Sequence, residues 1–374
     1  MQKKLSISVV VCTRNRKAYL KKCLASLLCQ SYPAKEIIVV DDSSTGEENT
    51  IDYFEKEFSD LFMNLKSLFF TKTKLVILRN QQHAGIVKSR NLGIKTASSD
   101  IIAFLDDDCY AHRHWLHHLA KQYSNEEVVG VGGPVVEVGR KVKFLARPVR
   151  RPACVRNGHI YHHYKIRNYS DRKYLTRRSV PFLVGGNMSF RRKVLYAVKG
   201  FDKNFNGNAY REETDVCYTL MRKGKLICEP DAVTYHNTAK KGGCRDIVRY
   251  NLNTFFYYFF RNTTYFFFKH FGVKAALEFT LSLFKRHKNL VKNNKTGLNR
   301  DYLKMRNRRI LPFFFILGML KGFFSWLLMR KKEIRFVCSK PADVKVYQLL
   351  IVGSTLKLIE LENRTHVLKK LLGL

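Results

Sequence analysis

Ser99-Asp100-Ile101-Ile102-Ala103-Phe104-Leu105-Asp106-Asp107-Asp108 is the stretch on which the reading of this chain turns. Five consecutive apolar residues, Ile101 to Leu105, run straight into three carboxylates. An apolar run of that length predicts a strand buried on both faces, as in a parallel sheet. The carboxylates then emerge at the strand's C-terminal end, where open α/β sheets bind their ligands. Asp106 and Asp108 share one side of an extended chain. A bend there would close them around one hard cation, with a substrate's phosphate oxygens completing the shell. The plainer alternative is an acidic turn that solubilises a strand end.

Upstream, the pattern repeats three times. Ile7 to Val11 reads as a strand ending at Cys12-Thr13-Arg14-Asn15-Arg16, and a helix follows with Leu20, Leu24, Leu27 and Leu28 on one face. Glu36 to Val40 is a second strand, running into Asp41-Asp42-Ser43-Ser44, and residues 46–70 read as a variable helical stretch. Leu75 to Leu78 is a third, leading to Arg79-Asn80, and a helix from about Ile86 to Ala97 carries Arg90 and Asn91. Strands alternating with helices in this way predict an α/β fold with a doubly wound, mostly parallel sheet. One polar strand end means little; four along one sheet edge mark a site.

Downstream, Val128 to Val131 is a further strand, after which the composition shifts. Residues 139–180 hold thirteen Lys or Arg and one acid, Asp171, with no sustained period. This predicts a mobile basic loop or insertion over or beside the site. His159, His162 and His163 lack partner cysteines or carboxylates and read as solvated histidines, not metal ligands. The pair Gly185-Gly186, before Asn187, would let a ligand or a neighbouring backbone approach closely. Tyr210-Arg211-Glu212-Glu213-Thr214-Asp215 opens a helix to about Arg222, where the acids also suit a helix N-terminus electrostatically. Leu226 to Cys228 and Ala232 to Tyr235 are short strands, the second followed by His236.

Composition bounds the class. The 374 residues are 45% apolar and 13% aromatic, enough for a large α/β core with an appendage and not the profile of a disordered chain. The 68 Lys+Arg against 30 Asp+Glu give a net charge of +38, which calls for a polyanionic neighbour: nucleic acid, an anionic membrane face or phosphorylated substrates. The nine cysteines form no CxxC pair. Cys12, Cys109 and Cys228 sit in or beside apolar runs, as buried free thiols do. With no signal-peptide core at the N-terminus, the expected compartment is the reducing cytosol.

From Arg245 onward the character changes. Residues 251–271 contain eleven Phe or Tyr, and Ile310 to Met329 is uncharged apart from Lys321. Twenty such residues reach across a bilayer. Lys321 near the middle would cost roughly 2.5–3.5 kcal/mol, Pro312 and Gly318 interrupt the run, and basic residues flank both ends. An amphipathic, aromatic-rich surface helix is therefore expected, with a helix packed on the catalytic unit as the alternative. Residues 241–374 carry 27 Lys+Arg against 7 Asp+Glu, which favours an anionic membrane surface. Nucleic-acid binding would interleave the aromatics with basic residues along one face, and here they cluster apart.

Seven segments in this order resemble the family 2 glycosyltransferases, inverting enzymes with the nucleotide-sugar-binding GT-A fold. They are Val9-Val10-Val11-Cys12-Thr13-Arg14-Asn15-Arg16, Ile37-Ile38-Val39-Val40-Asp41-Asp42-Ser43-Ser44, Ser89-Arg90-Asn91-Leu92-Gly93, Phe104-Leu105-Asp106-Asp107-Asp108, Gly185-Gly186-Asn187, Gly200-Phe201-Asp202 and Glu212-Glu213-Thr214-Asp215. The resemblance covers roughly residues 5–237 and implies a GT-A catalytic domain over 1–240. Residues 241–374 are expected to form a C-terminal helical, membrane-associating region. It implies a nucleoside-diphosphate-sugar donor bordered by Thr13, Arg14, Asn15, Arg16, Asp41, Asp42, Arg90, Asp106, Asp107, Gly185, Gly186 and Asn187. It implies a divalent cation, Mg²⁺ or Mn²⁺, on Asp108 with Asp106 and His236. The family's base is the second acid of a Glu-Asp pair, which matches Glu213, with Glu212 or Asp215 as substitutes. The expected acceptor is a polyprenyl-phosphate-linked or other glycan at the cytosolic face of the cell membrane, reached by a peripheral or monotopic enzyme. A soluble glycan or protein acceptor is the alternative.

Overall fold

A computed structural model describes residues 5–54, 73–139, 153–156, 159–162, 164–243, 252–293, 311–330, 343–352 and 355–361. Its centre is the parallel block expected from the apolar runs: β1 (Ile7–Thr13), β2 (Glu36–Asp41), β3 (Lys74–Asn80) and β4 (Ile101–Phe104), in spatial order β3-β2-β1-β4. The order reverses between β1 and β4, and that switch point is where such sheets open a crevice at their C-terminal ends. Alternate residues of β1 serve opposite faces, as the two-residue period requires. Val9 and Val11 pack with Leu20, Leu24 and Leu27 of α1 (Lys17–Leu28), while Val10 packs with Leu92 and Ile94 of α2 (Ile86–Thr96). Gly93 lets α2 lie this close, since a Cβ there would run into Val10.

The rest of the sheet is antiparallel or mixed. After β5 (Cys109–Ala111), α3 (Trp115–Gln122), β6 (Val128–Gly132) and β7 (Val135–Glu137) come β8 (Ala153–Arg156), β9 (His159–His162), β10 (Lys165–Ile166) and β11 (Arg178–Ser179). β12 (Met188–Arg191) runs antiparallel between β4 and β6, and β13 (Lys225–Cys228) lies between β6 and β11. With β15 (Val344–Val352) and β16 (Thr355–Leu361) at one edge, the ten-stranded order is β11-β13-β6-β12-β4-β1-β2-β3-β15-β16. A smaller sheet, β10-β7-β14-β5, includes β14 (Thr234–His236).

One expectation needs correction and two gain detail. The basic stretch, expected as a loop or insertion, contains the hairpin β8–β9, and β10 joins the small sheet. Its residues 140–152, like 55–72 of the variable segment, lie outside the described ones. The C-terminal region is not helical throughout. β15 (Val344–Val352) pairs antiparallel with β3 and with β16 (Thr355–Leu361), so the hairpin covers a sheet edge that would otherwise expose its backbone groups. Finally, the aromatic tail is buried along one side and exposed along the other, which leaves room for both the surface helix and the packed helix weighed above. α5 (Leu252–Asn293), broken at Gly272 with φ 81°, buries Tyr265, Phe266 and Phe267, with Phe267 stacked on Phe279 at 4.2 Å. α6 (Leu311–Arg330) packs along it. Gly318 and Gly322 allow that approach, because a Cβ at either would stand 2.7 Å from the backbone oxygen of Tyr257 or Arg261. Among the described residues no helix is long and apolar enough to cross a membrane.

Candidate active site

The crevice at the β1/β4 switch point is a cavity of about 310 Å³. It collects residues far apart in sequence: Thr13, Arg14 and Arg16 after β1, Asp42 after β2, Arg90 on α2, Asp106 to Asp108 after β4, Gly185 and Gly186, and Glu212 and Glu213. The last two open α4 (Glu212–Leu220), with Arg211 just before it in the left-handed region at φ 79°. Ala209, two residues earlier, is left-handed as well, so the loop into α4 holds strained backbone at the cavity wall.

The three aspartates have three different environments. Asp106 keeps 39% of its side chain exposed and accepts from Arg90 Nη2 at 3.0 Å. Asp107 is sealed under the loop, accepting from Thr13 Oγ1 at 2.8 Å and Arg16 Nη1 at 2.7 Å, and burial pushes its carboxyl up to about 6 despite Arg16. Asp108 is also buried, which would raise its pKa. His236 and Arg16 outweigh that and hold it well below the usual carboxylate range. Arg16 in turn donates to the carbonyls of Lys241 and Gly242, so the segment after His236 folds back over the end of β1.

His236 shows what the small sheet is for. In β14 it stands opposite Cys109 of β5 on one side and Glu137 of β7 on the other. Its Nε2 lies 3.4 Å from Asp108 Oδ1, and its Nδ1 lies 3.1 Å from Glu137 Oε1. Burial alone would depress the imidazole, but Asp108 and Glu137 lift it to about 9. A positive charge between two carboxylates is what this arrangement asks for, and a divalent cation meets the same demand. The ligand atoms of Asp108, Cys109 and His236 lie within 4.8 Å of one another. Burial keeps the Cys109 thiol protonated, leaving a carboxylate and an imidazole, a donor set that suits Mg²⁺ or Mn²⁺ with places left for phosphate oxygens. Glu137 would orient the histidine from behind, the usual second partner of a ligating imidazole.

The far wall carries two glutamates around Arg90. Glu212 pairs with Arg90 Nη1, and its buried Oε2 has no hydrogen-bond partner among the described residues. Burial pushes Glu212 up to about 8, with Glu213 adding to the rise and Arg90 opposing it. Glu213 is half-buried and its carboxyl is raised by burial too. Gly185 and Gly186 floor this part of the cavity. A Cβ at Gly185 would meet Arg90 Nη2 at 3.3 Å, and one at Gly186 would meet Asp106 Oδ2 at 3.3 Å.

Four expected site residues point elsewhere. Asp41 is fully buried, bound to Arg79 and Ser44, and shapes the loop after β2. Asn15 bridges that loop through Ser44 and Thr45. Asn187 uses its amide on Trp115, Pro134 and Ala232, a framework role. Asp215 is turned from the cavity into an ion cluster with Lys269 at 2.8 Å and His270 at 2.7 Å. Conversely, His83, Asn208, Tyr210 and Gly243 line the cavity and were not anticipated. The pair Gly242-Gly243 was the available signal for the last, both residues having positive φ against Arg14 and Arg16.

The sequence profile of the Glycosyl transferase family 2 matches residues 8–198, about half of the chain, which spans β1 to the end of β12 and beyond. The chain belongs to glycosyl transferase family 2. Two relatives of this chain come from Haloferax volcanii. A glucosyl-dolichyl phosphate glucuronosyltransferase is 30% identical over 206 residues, 54% of this chain and 57% of the relative. Glycosyltransferase AglE is 32% identical over 131 residues, 34% of this chain and 39% of the relative. The chain thus spans about half the length of the curated relatives it matches. Among solved structures, GalNAc-T7 with UDP, GalNAc and Mn²⁺ aligns over 71% of this chain and 50% of its own, with a TM-score of 0.50 at 17% identity, a likeness of fold.

Proposed function

We propose that this protein is an inverting glycosyltransferase that moves a sugar from a nucleoside diphosphate to a lipid-linked acceptor at the cytosolic face of a membrane. The observation that carries the reading is the single cavity that sets Asp106, Asp108 and Arg90 against Glu212 and Glu213 at the sheet's switch point. Thr13, Arg14 and Asp42 border the nucleoside, and Gly185 and Gly186 let the diphosphate-bearing end come close to the backbone. Asp108 and His236, steadied by Glu137, would hold a divalent cation, Mg²⁺ or Mn²⁺. When bound, it stabilises the charge that grows on the leaving diphosphate.

Glu213 is the base. It lines the cavity, is not committed to Arg90 as Glu212 is, and has a carboxyl raised towards the range a general base needs. It takes the proton of the acceptor hydroxyl as that oxygen bonds to the anomeric carbon. The bond from that carbon to the diphosphate breaks on the opposite face, and the nucleoside diphosphate leaves. Glu212 fixes Arg90, which in turn holds Asp106.

The lipid-linked acceptor is supported by a relative named for action on glucosyl-dolichyl phosphate. Ten of the eleven large apolar residues exposed among the described ones, all but Met221, also lie in α5 and α6. A screen of nucleotide sugars with Mn²⁺ and a short polyprenyl phosphate tests the whole reading. The expected product has inverted anomeric configuration by NMR. Retained configuration, or transfer only to peptide or soluble glycan, would overturn it.

A further inference from the structure

The loop that precedes the base helix, residues 202–211, is held along its length by polar side chains of α5. Arg261 donates to the Asn204 carbonyl, and Asn262 Nδ2 donates to the Asn206 carbonyl at 3.1 Å. Tyr265 and Lys269 bind Asp202 at 2.7 and 2.8 Å. Lys269 also reaches Asp215 of α4 at 2.8 Å, so one side chain ties loop and base helix together. Asn208 and Tyr210, which line the cavity, touch α5 through the Phe255 carbonyl and the Phe259 ring, 4.7 Å away.

These helices bury polar residues among aromatic ones and turn other large apolar residues outward. Arg261, Asn262, Thr263, Thr264 and Ser325 are buried. Ile316, Leu320, Phe324 and Leu328 of α6, with Leu277 and Leu281 of α5, are between 51% and 61% exposed. An outward face of this many large apolar residues matches an apolar surrounding. Its occupant follows from charge. Residues 241–374 carry 27 Lys+Arg against 7 Asp+Glu, and Lys274 and Lys321 are exposed beside the apolar residues. A second copy of the chain would bring the same positive charge and be repelled, whereas an anionic bilayer attracts it.

We propose that α5 and α6 form a platform, seated by this face on an anionic lipid surface, that positions the acceptor side of the site by gripping the 202–211 loop and α4. Asn262 and Lys269 are positioning residues: transfer depends on them and donor binding does not. This rests on the reading of Glu213 as base.

Three sets of variants test it in the full-length protein, scored by transfer to a short water-soluble acceptor, nucleotide titration and vesicle co-sedimentation. Asn262→Ala and Lys269→Met are expected to lower kcat by about 10²-fold, with the donor Kd within about twofold of wild type. Asn262→Ala leaves no lone buried charge and serves if Lys269→Met does not fold. The pair Leu320→Ser/Phe324→Ser is expected to weaken binding to phosphatidylglycerol vesicles about tenfold or more while leaving soluble-acceptor transfer unchanged. Loss of donor affinity in step with kcat, or a wild-type kcat, would overturn the positioning role. Unchanged vesicle binding, or equal binding to neutral phosphatidylcholine, would overturn the lipid seat. Glu213→Gln, run in parallel, keeps the failures apart: a wild-type rate there overturns the assigned base itself.

Discussion

In β4 the side chains of Ile101 to Phe104 are sealed from solvent, and carboxylates emerge past its end. In α5 and α6 Arg261, Asn262 and Ser325 are buried beside Tyr265 to Phe268, while Leu277, Ile316, Leu320, Phe324 and Leu328 are exposed. The two regions place their polar side chains differently. A sheet covered on both faces by helices can keep charge only at its strand ends, so charge and ligand meet there. A helix pair that grips a polar loop must turn its hydrogen-bonding groups inward, and part of its apolar surface is left to the outside. The carboxylates of the cavity therefore grow out of the sheet, while the loop before α4 is held by helices whose outer face is apolar.

The sharpest break in this contrast comes from the acids of α4. Glu213→Gln is expected to lower kcat by about 10²–10⁴-fold with stability and donor Kd unchanged, measured by initial rates, thermal melting and titration. Asp215→Asn should instead cost about 3 kcal/mol of stability, because it breaks the buried ties to Lys269 and His270. A destabilised Glu213→Gln beside a stable Asp215→Asn would exchange the two assignments.

The same cluster predicts a pH effect. Burial works against ionised Asp202, but Lys269 holds its carboxyl below the ordinary 3.8. A depressed carboxyl adds stability above its unfolded pKa and loses it as pH falls through the folded one. The stability gap between wild type and Lys269→Met should accordingly shrink as urea melts are taken below pH 3.8.

Smaller effects test the tail alone. In Gly322→Leu the new side chain meets the Arg261 carbonyl, which should cost about 1–3 kcal/mol and loosen α6 from α5, seen as faster proteolysis there. Lys321→Ala should weaken binding to anionic vesicles by only about 1 kcal/mol. A much larger loss would mean that charge, and not the apolar face, seats the helices.

Much of the donor half was legible in sequence because its signals are local. Each apolar run of β1 to β4 ends in the polar residues that line or frame the cavity, and the strand's own direction carries them to one edge. The inward turn of Asp41 and Asn187 was not legible. Both sit in the right segments, but their side chains are claimed by Arg79, and by Trp115, Pro134 and Ala232, partners from elsewhere in the chain.

By itself, then, the sequence determined the strand–helix alternation, the acidic strand end and the glutamate pair, since hydrophobic period and residue type are properties of short segments. Tertiary structure alone decided that Glu137 stands behind His236, that Asp215 belongs to Lys269, and that the aromatic tail buries one face and exposes the other. Glu137 meets His236 only because β7 and β14 pair in register, 99 residues apart. Lys269 meets Asp215 only because α5 returns across the loop before α4. Such pairings depend on which strand or helix lies alongside, and neither period nor composition encodes a neighbour that the chain reaches only after folding.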